Sequence, residues 1–158
     1  MPDDKTNQDV MVRNFATIVA EANLKEAYLA LKKNLEGPPH SPGLVVMDEA
    51  GKFAGLLTMD DFMAELNRLH AAACDKPGRP DWLASFFSKC EIIGFQKVTE
   101  IMSGKRLWVR DQDSFEASCE LLLHKKANLL AVVDAGMKPV GIVTRRQVLE
   151  EVAPRMFK

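Results

Sequence analysis

Two stretches of the chain repeat one alternation of apolar and polar positions. Thr17 to Leu31 reads T-I-V-A-E-A-N-L-K-E-A-Y-L-A-L, and Trp108 to Leu122 reads W-V-R-D-Q-D-S-F-E-A-S-C-E-L-L. Laid over each other, they place Ile18 on Val109, Asn23 on Ser114, Leu24 on Phe115, Ala27 on Ser118 and Leu31 on Leu122. Asn23 and Ser114 are both suited to cap a helix, because their side chains can accept from a free backbone N–H. After each cap, apolar or small residues recur at helical spacing. Each stretch therefore predicts a short strand followed by a helix packed by one face.

The correspondence resumes further along. Leu44-Val45-Val46-Met47-Asp48 before Gly51 pairs with Leu130-Ala131-Val132-Val133-Asp134 before Gly136, and both read as buried strands ending in a turn. Phe53 to Thr58 and Pro139 to Thr144 then predict the second strands of two hairpins. Helical segments follow, from Met59 to about Ala73 and from Arg145 to about Val152. The order in each copy is β-α-β-β-α. The offset between copies changes by five residues within E-G-P-P-H-S-P-G, from Glu36 to Gly43, an insertion whose prolines exclude helix. Between the copies, Lys76 to Asp81 is a breaker, and Asp81 can cap an apolar helix through Trp82, Leu83, Phe86, Phe87 and Cys90, suited to cover a core or a partner surface. The expected boundaries are a tail over 1–13, a first repeat over 14–69, a linker with the apolar helix over 70–97, a second repeat over 98–152 and a tail over 153–158.

Composition agrees with a folded chain. Of 158 residues 47% are hydrophobic, which is too many for a disordered polymer. A net charge of -1 gives no sign of a nucleic-acid binder. No apolar run reaches the ~20 residues that cross a bilayer. Met1 to Asp9 is polar and acidic, unlike a secretory signal, and reads as a frayed end. Cys74, Cys90 and Cys119 are odd in number and lack a C-x-x-C spacing, which points to a reducing cytoplasm rather than a disulfide framework.

The segment after each second hairpin strand separates this pattern from ferredoxin-like repeats. Gly55-Leu56-Leu57-Thr58-Met59-Asp60-Asp61 resembles the G-h-h-T/S-x-x-D signature of cystathionine-β-synthase-type (CBS) repeats, h being apolar. Gly141-Ile142-Val143-Thr144-Arg145-Arg146-Gln147 fits the same frame, with Gln147 where the aspartate would stand. Val98 to Ser103 also resembles the segment leading into such a repeat. The resemblance implies an α/β (α+β) fold: two tandem CBS repeats packed as a pseudo-twofold disk, with two equivalent clefts between them. It further implies a regulatory module without catalysis, a homodimer, and an adenine nucleotide (AMP, ADP or ATP) or S-adenosylmethionine as ligand, with no metal required. Such a module would signal to a separate effector protein acting in trans. The alternative is a ligand-free dimerisation or docking module.

By this resemblance, Thr17, Ile18, Leu44, Val45 and Val46 would line a base slot, Val45 and Val46 through their backbone. Asp61 could accept from ribose hydroxyls, and Thr58 could bond a ribose or phosphate oxygen at a helix start. Both also have a local reading, Thr58 as an N-cap and Asp61 as a carboxylate favoured by the helix dipole. In the second copy, Gln147 lacks the charge of a carboxylate acceptor. Trp108 stands in the place of Thr17, where it would stack on a base or fill the slot. Arg145 and Arg146 after Thr144 suit a phosphate, or are simply solvated. Asp60 beside Asp61 makes the first copy less welcoming to polyphosphate.

Enzyme readings are weaker. His70 and Cys74 sit four apart on a helix without a second pair of metal ligands. His40 lies in the proline loop, and His124 beside Lys125 and Lys126 suits the end of a helix. No hydrolase, phosphate-loop or zincin motif occurs.

Overall fold

The computed structural model describes residues 4–38, 40–73, 81–124 and 127–158. Cys74, the breaker from Lys76 to Pro80 and the Lys125–Lys126 pair lie outside the described residues. The first repeat runs β1 (Thr17–Val19), α2 (Leu24–Glu36), β2 (Gly43–Met47), β3 (Phe53–Thr58) and α3 (Met59–Ala73), preceded by the short helix α1 (Asn7–Val10). After α4 (Trp82–Cys90) and the short helix α5 (Val98–Ile101), the second repeat runs β4 (Trp108–Arg110), α6 (Phe115–His124), β5 (Leu129–Val133), β6 (Pro139–Thr144) and α7 (Arg145–Met156). Each repeat is a three-stranded sheet with a parallel first pair and an antiparallel hairpin. Thr17 stands opposite Val45 and Trp108 opposite Ala131, and Gly43 pairs with Thr58 as Leu129 does with Thr144.

The expected caps form at both α2 and α6. Asn23 accepts from the Glu26 N–H at 2.8 Å, and the Ser114 hydroxyl accepts from the Glu116 N–H at 3.2 Å. Asp81 occupies the N-cap position of α4, but its side chain makes no capping bond to that helix, because its backbone leaves the extended range a cap needs. No residue of α4 is buried. It lies against α3 through a ring cluster in which His70 meets Trp82 edge-on at 4.6 Å, and it leaves Leu83 and Phe87 exposed. α7 continues to Met156, four residues beyond the predicted stop at Val152, so most of the expected C-terminal tail is helix.

The two hairpin turns are superimposable, but not in the register the glycines suggest. Asp48 and Asp134 each brace their turn by accepting two backbone N–H bonds near 2.9–3.0 Å. The left-handed position is Gly51 (φ 77°) in one turn and Met137 (φ 66°) in the other. Gly136 is therefore not the partner of Gly51; it stands one residue earlier.

The segments leading into the repeats cross over. Residues 5–12, which precede the first repeat, pack on the second. The Phe115 N–H donates to the Lys5 carbonyl, Asn7 N–H to the Asp113 carbonyl, and Val12 exchanges two backbone bonds with Ile142 at 2.8 and 2.9 Å. Residues 96–103, which precede the second repeat, make the same bonds to the first. Leu24 N–H donates to Gln96, Val98 N–H to Ala22, and Ser103 exchanges bonds with Leu56. The expected frayed N-terminus is thus structured from Lys5 onward, because its backbone is used by the second repeat. This crossing also explains the motif glycines. A Cβ at Gly141 would stand 3.0 Å from the Val12 carbonyl oxygen, and one at Gly55 would stand 3.1 Å from that of Ser103.

The crossing segments carry different chemistry. On the second repeat, the fully buried Asn7 donates from Nδ2 to the Arg110 carbonyl at 2.7 Å, and its Oδ1 accepts from the buried Ser118 hydroxyl at 2.6 Å. On the first repeat the corresponding pair is Val98 and Ala27, both fully buried in an apolar cluster. Between the repeats a third cluster joins Val45 and Leu56 to Leu129, Ala131 and Ile142, so the two sheets share a core and form one disk.

Candidate functional site

The strand-to-helix junctions of the two repeats have one local geometry. At the start of α3, Asp61 Oδ2 accepts from the Thr58 N–H at 2.9 Å and from its hydroxyl at 3.4 Å. At the start of α7, Gln147 Oε1 accepts from the Thr144 N–H at 2.8 Å and from its hydroxyl at 2.5 Å. The T-x-x-D and T-x-x-Q motifs are thus half of a capping box: the residue three positions into the helix reaches back to the cap. Both acceptors are nearly buried. Asp61 thus has a local partner in Thr58, and a carboxylate still has lone pairs to offer a second donor.

The junctions differ in charge. Asp60 and Asp61 oppose the positive end of the α3 dipole, whereas α7 opens with Arg145 and Arg146 and a neutral Gln147. Arg145 Nε donates to the Ala127 carbonyl at 3.1 Å, and Arg146 Nε donates to Glu150 at 3.0 Å. The α7 end is therefore the more positive of the two.

Each junction opens onto a cleft completed by the other repeat. Thr58, Asp60 and Asp61 face Ser103, Leu107 and Asn128 across a cleft of about 130 Å³. Thr144, Arg145, Arg146, Gln147 and Glu150 face Val12, His40, Pro42 and Asn128 across a cleft of about 530 Å³. Small-molecule sites commonly fall at about 300–1,000 Å³. The second cleft lies in that range and the first lies below it.

The structure brings Thr144, Arg145, Arg146 and Gln147 together in the larger cleft, and Thr58 with Asp61 in the smaller. It does not bring Thr17, Ile18, Val45 or Val46 to either. Thr17 is exposed on β1, and Ile18 packs toward α2. Val45 is fully buried between the repeats, and Val46 within the first. Trp108 is half-buried against the shared core, its ring 6.0 Å from the Arg110 guanidinium, and lines neither cleft. His40, Asn128, Ser103 and Glu150 were not read from the sequence as site residues. They come from the opposite repeat or a later helical turn, and no local pattern marks them.

Among the described residues no group of three metal-ligating side chains forms, and no helix is long and apolar enough to cross a membrane. Burial pushes the Cys90 and Cys119 thiols above their usual range, with Glu151 and Glu116 adding to the effect at Cys119. Both are held toward the unreactive protonated form.

A duplicated βαββα unit with crossed lead-in segments and two inter-repeat clefts defines a tandem-repeat module. The CBS-domain family model matches it twice, over residues 8–68 and 98–154, and the chain belongs to that family. Among solved structures, a CBS domain-containing protein of unknown function from Bacillus anthracis superposes with a TM-score of 0.73 at 18% identity, over 97% of this chain and 96% of that one. CBSX2, solved in complex with AMP, gives 0.67 at 26% identity over 97% and 98%. The cytosolic domain of the Mg2+ channel MgtE, solved in complex with ATP, gives 0.63 at 21% identity over 89% and 46%. No curated protein matches the sequence.

Proposed function

We propose that this CBS pair is a regulatory module that binds an adenine nucleotide between its repeats and signals to a partner protein. The observation that carries the reading is the cleft of about 530 Å³ at the N-terminus of α7, where Thr144, Arg145 and Arg146 converge. Free backbone N–H groups and guanidinium donors at a helix start suit a phosphate. The AMP complex of CBSX2, alike over nearly the whole chain, supports AMP as the first ligand to try, with ADP, ATP and S-adenosylmethionine beside it. A ligand present at about 100 times its Kd should stabilise the fold by ~2.7 kcal/mol in a thermal-shift experiment. Asp61→Ala removes a cap along with a candidate ribose acceptor. It should cost about 1 kcal/mol without ligand, so its ligand shift is read against its own baseline. No shift with any of the four ligands would sink the sensing reading.

A second copy of the chain is the proposed partner for the exposed helical faces. Tyr28, Leu35, Met59 and Phe62 line an apolar groove of about 380 Å³ between α2 and α3, and Leu123 and Leu149 are exposed on the corresponding face of α6 and α7. Apolar surface of this kind marks interaction sites. Sedimentation should give a dimer that Met59→Glu with Leu149→Glu converts to a monomer; a wild-type monomer at all concentrations would remove this assignment. A dimer that responds to no nucleotide would favour the docking module.

A further inference from the structure

His40 belongs to the first repeat by sequence and to the second cleft by position. It sits in the five-residue insertion, beside Pro42, across from Thr144, Arg145 and Arg146. Its backbone is left-handed (φ 56°), a conformation that costs a side-chain-bearing residue free energy and persists only when its surroundings impose it. Those surroundings are visible. Asn34, buried on α2, donates from Nδ2 to the Ser41 carbonyl at 2.7 Å and to that of Gly43 at 3.3 Å. Its Oδ1 accepts from the Ser41 N–H at 3.3 Å and hydroxyl at 3.0 Å. The His40 Nδ1 stands 3.1 Å from the Leu35 carbonyl, which can only accept, so Nδ1 carries the proton and Nε2 is the ring nitrogen left for a ligand.

A buried polar clamp thus holds one strained histidine at the mouth of the cleft that also holds two arginines. Glu150, the carboxylate in that cleft, is bonded to Arg146. The insertion has no counterpart in the second repeat. Among the described residues, the lining of the smaller cleft holds no histidine and includes Asp60 and Asp61.

Resting on the nucleotide reading above, we propose that His40 selects for a phosphate-bearing ligand in the larger cleft. With both ring nitrogens protonated, Nε2 donates to a phosphate oxygen while Nδ1 keeps the Leu35 carbonyl. The strain at residue 40 is then retained for binding rather than for folding.

The test uses the full chain, calorimetric titration at fixed ionic strength, and AMP, ADP, ATP, adenosine and pyrophosphate as probes. His40→Gly removes the ring and suits the left-handed backbone, so the variant should fold with a Tm at or above that of the wild type. Its affinity for AMP should fall about tenfold, the loss of one charge-assisted hydrogen bond, while adenosine binding stays unchanged. His40→Asn, also tolerant of this backbone, should match it. AMP binding by His40→Gly at wild-type affinity, or equal losses for AMP and adenosine, would overturn the role of His40 while leaving nucleotide binding intact. If the wild type binds none of AMP, ADP and ATP, the nucleotide reading fails instead. A pyrophosphate-induced shift of the His40 ring resonance would then uphold a phosphate site for a different ligand, and no shift would overturn that too.

Discussion

Leu129→Ala should lower the stability of the folded chain by about 3–5 kcal/mol, the range for emptying a tightly enclosed leucine site. Leu129 opens β5, is 1% exposed, and contributes to the cluster in which Val45 and Leu56 of the first repeat meet Ala131 and Ile142 of the second. Its Cδ2 would stand 3.2 Å from a Cβ at Gly43, so the leucine rests on the bare backbone of the neighbouring repeat. The surrounding strands are tied by ladder bonds on both sides and have little freedom to collapse into the space. The truncation also widens the smaller cleft, which Leu129 helps to line. Urea denaturation measures the effect, with the exposed Ile92→Ala, just beyond α4, as the control, expected within about 0.5 kcal/mol of wild type. An unchanged m-value would mean that the repeats still unfold together; a split transition would mean that this cluster is what couples them. A loss below about 1 kcal/mol for Leu129→Ala would contradict the shared core.

The second large effect lies at the crossing. Asn7→Val should cost about 2 kcal/mol, because the fully buried Ser118 hydroxyl loses its 2.6 Å acceptor, and an unsatisfied buried polar group costs about 1–3 kcal/mol. The Arg110 carbonyl loses the amide but keeps the Asp113 N–H at 3.2 Å, which limits the damage on that side. Adding Ser118→Ala recreates the Val98–Ala27 pair of the first repeat and should return about 1 kcal/mol. The double-mutant cycle reads that coupling directly. Additive losses would show that the amide and hydroxyl act independently. The polar pair on one repeat and the apolar pair on the other also give each lead-in segment one suitable landing place. Asn7 set over Ala27 would bury an amide with no hydroxyl beside it.

Much of the fold was legible because its signals are local. Asn23 and Ser114 cap their helices whatever packs above them, and Leu44–Met47 and Leu130–Val133 are apolar because both faces of their strands are covered. Thr58 was legible as the residue before a helix start, but the bonds Asp61 and Gln147 make back to Thr58 and Thr144 are seen only in the structure. The pairing of Gly51 with Gly136 failed for a local reason as well. The turn needs one left-handed residue, and Met137 takes that conformation in the second copy.

The chain by itself determined the duplication, the order of strands and helices, and the residues at the two helix starts, all of which follow from periodicity and capping within a few residues. Only the tertiary structure decided that residues 5–12 serve the second repeat and 96–103 the first, that Trp108 and Val45 pack in the core shared by the two sheets, and that His40 lines one cleft with the arginines of α7. Those arrangements join positions about a hundred residues apart. They are selected by burial and hydrogen-bond satisfaction across the interface, which leave no periodic trace in either partner.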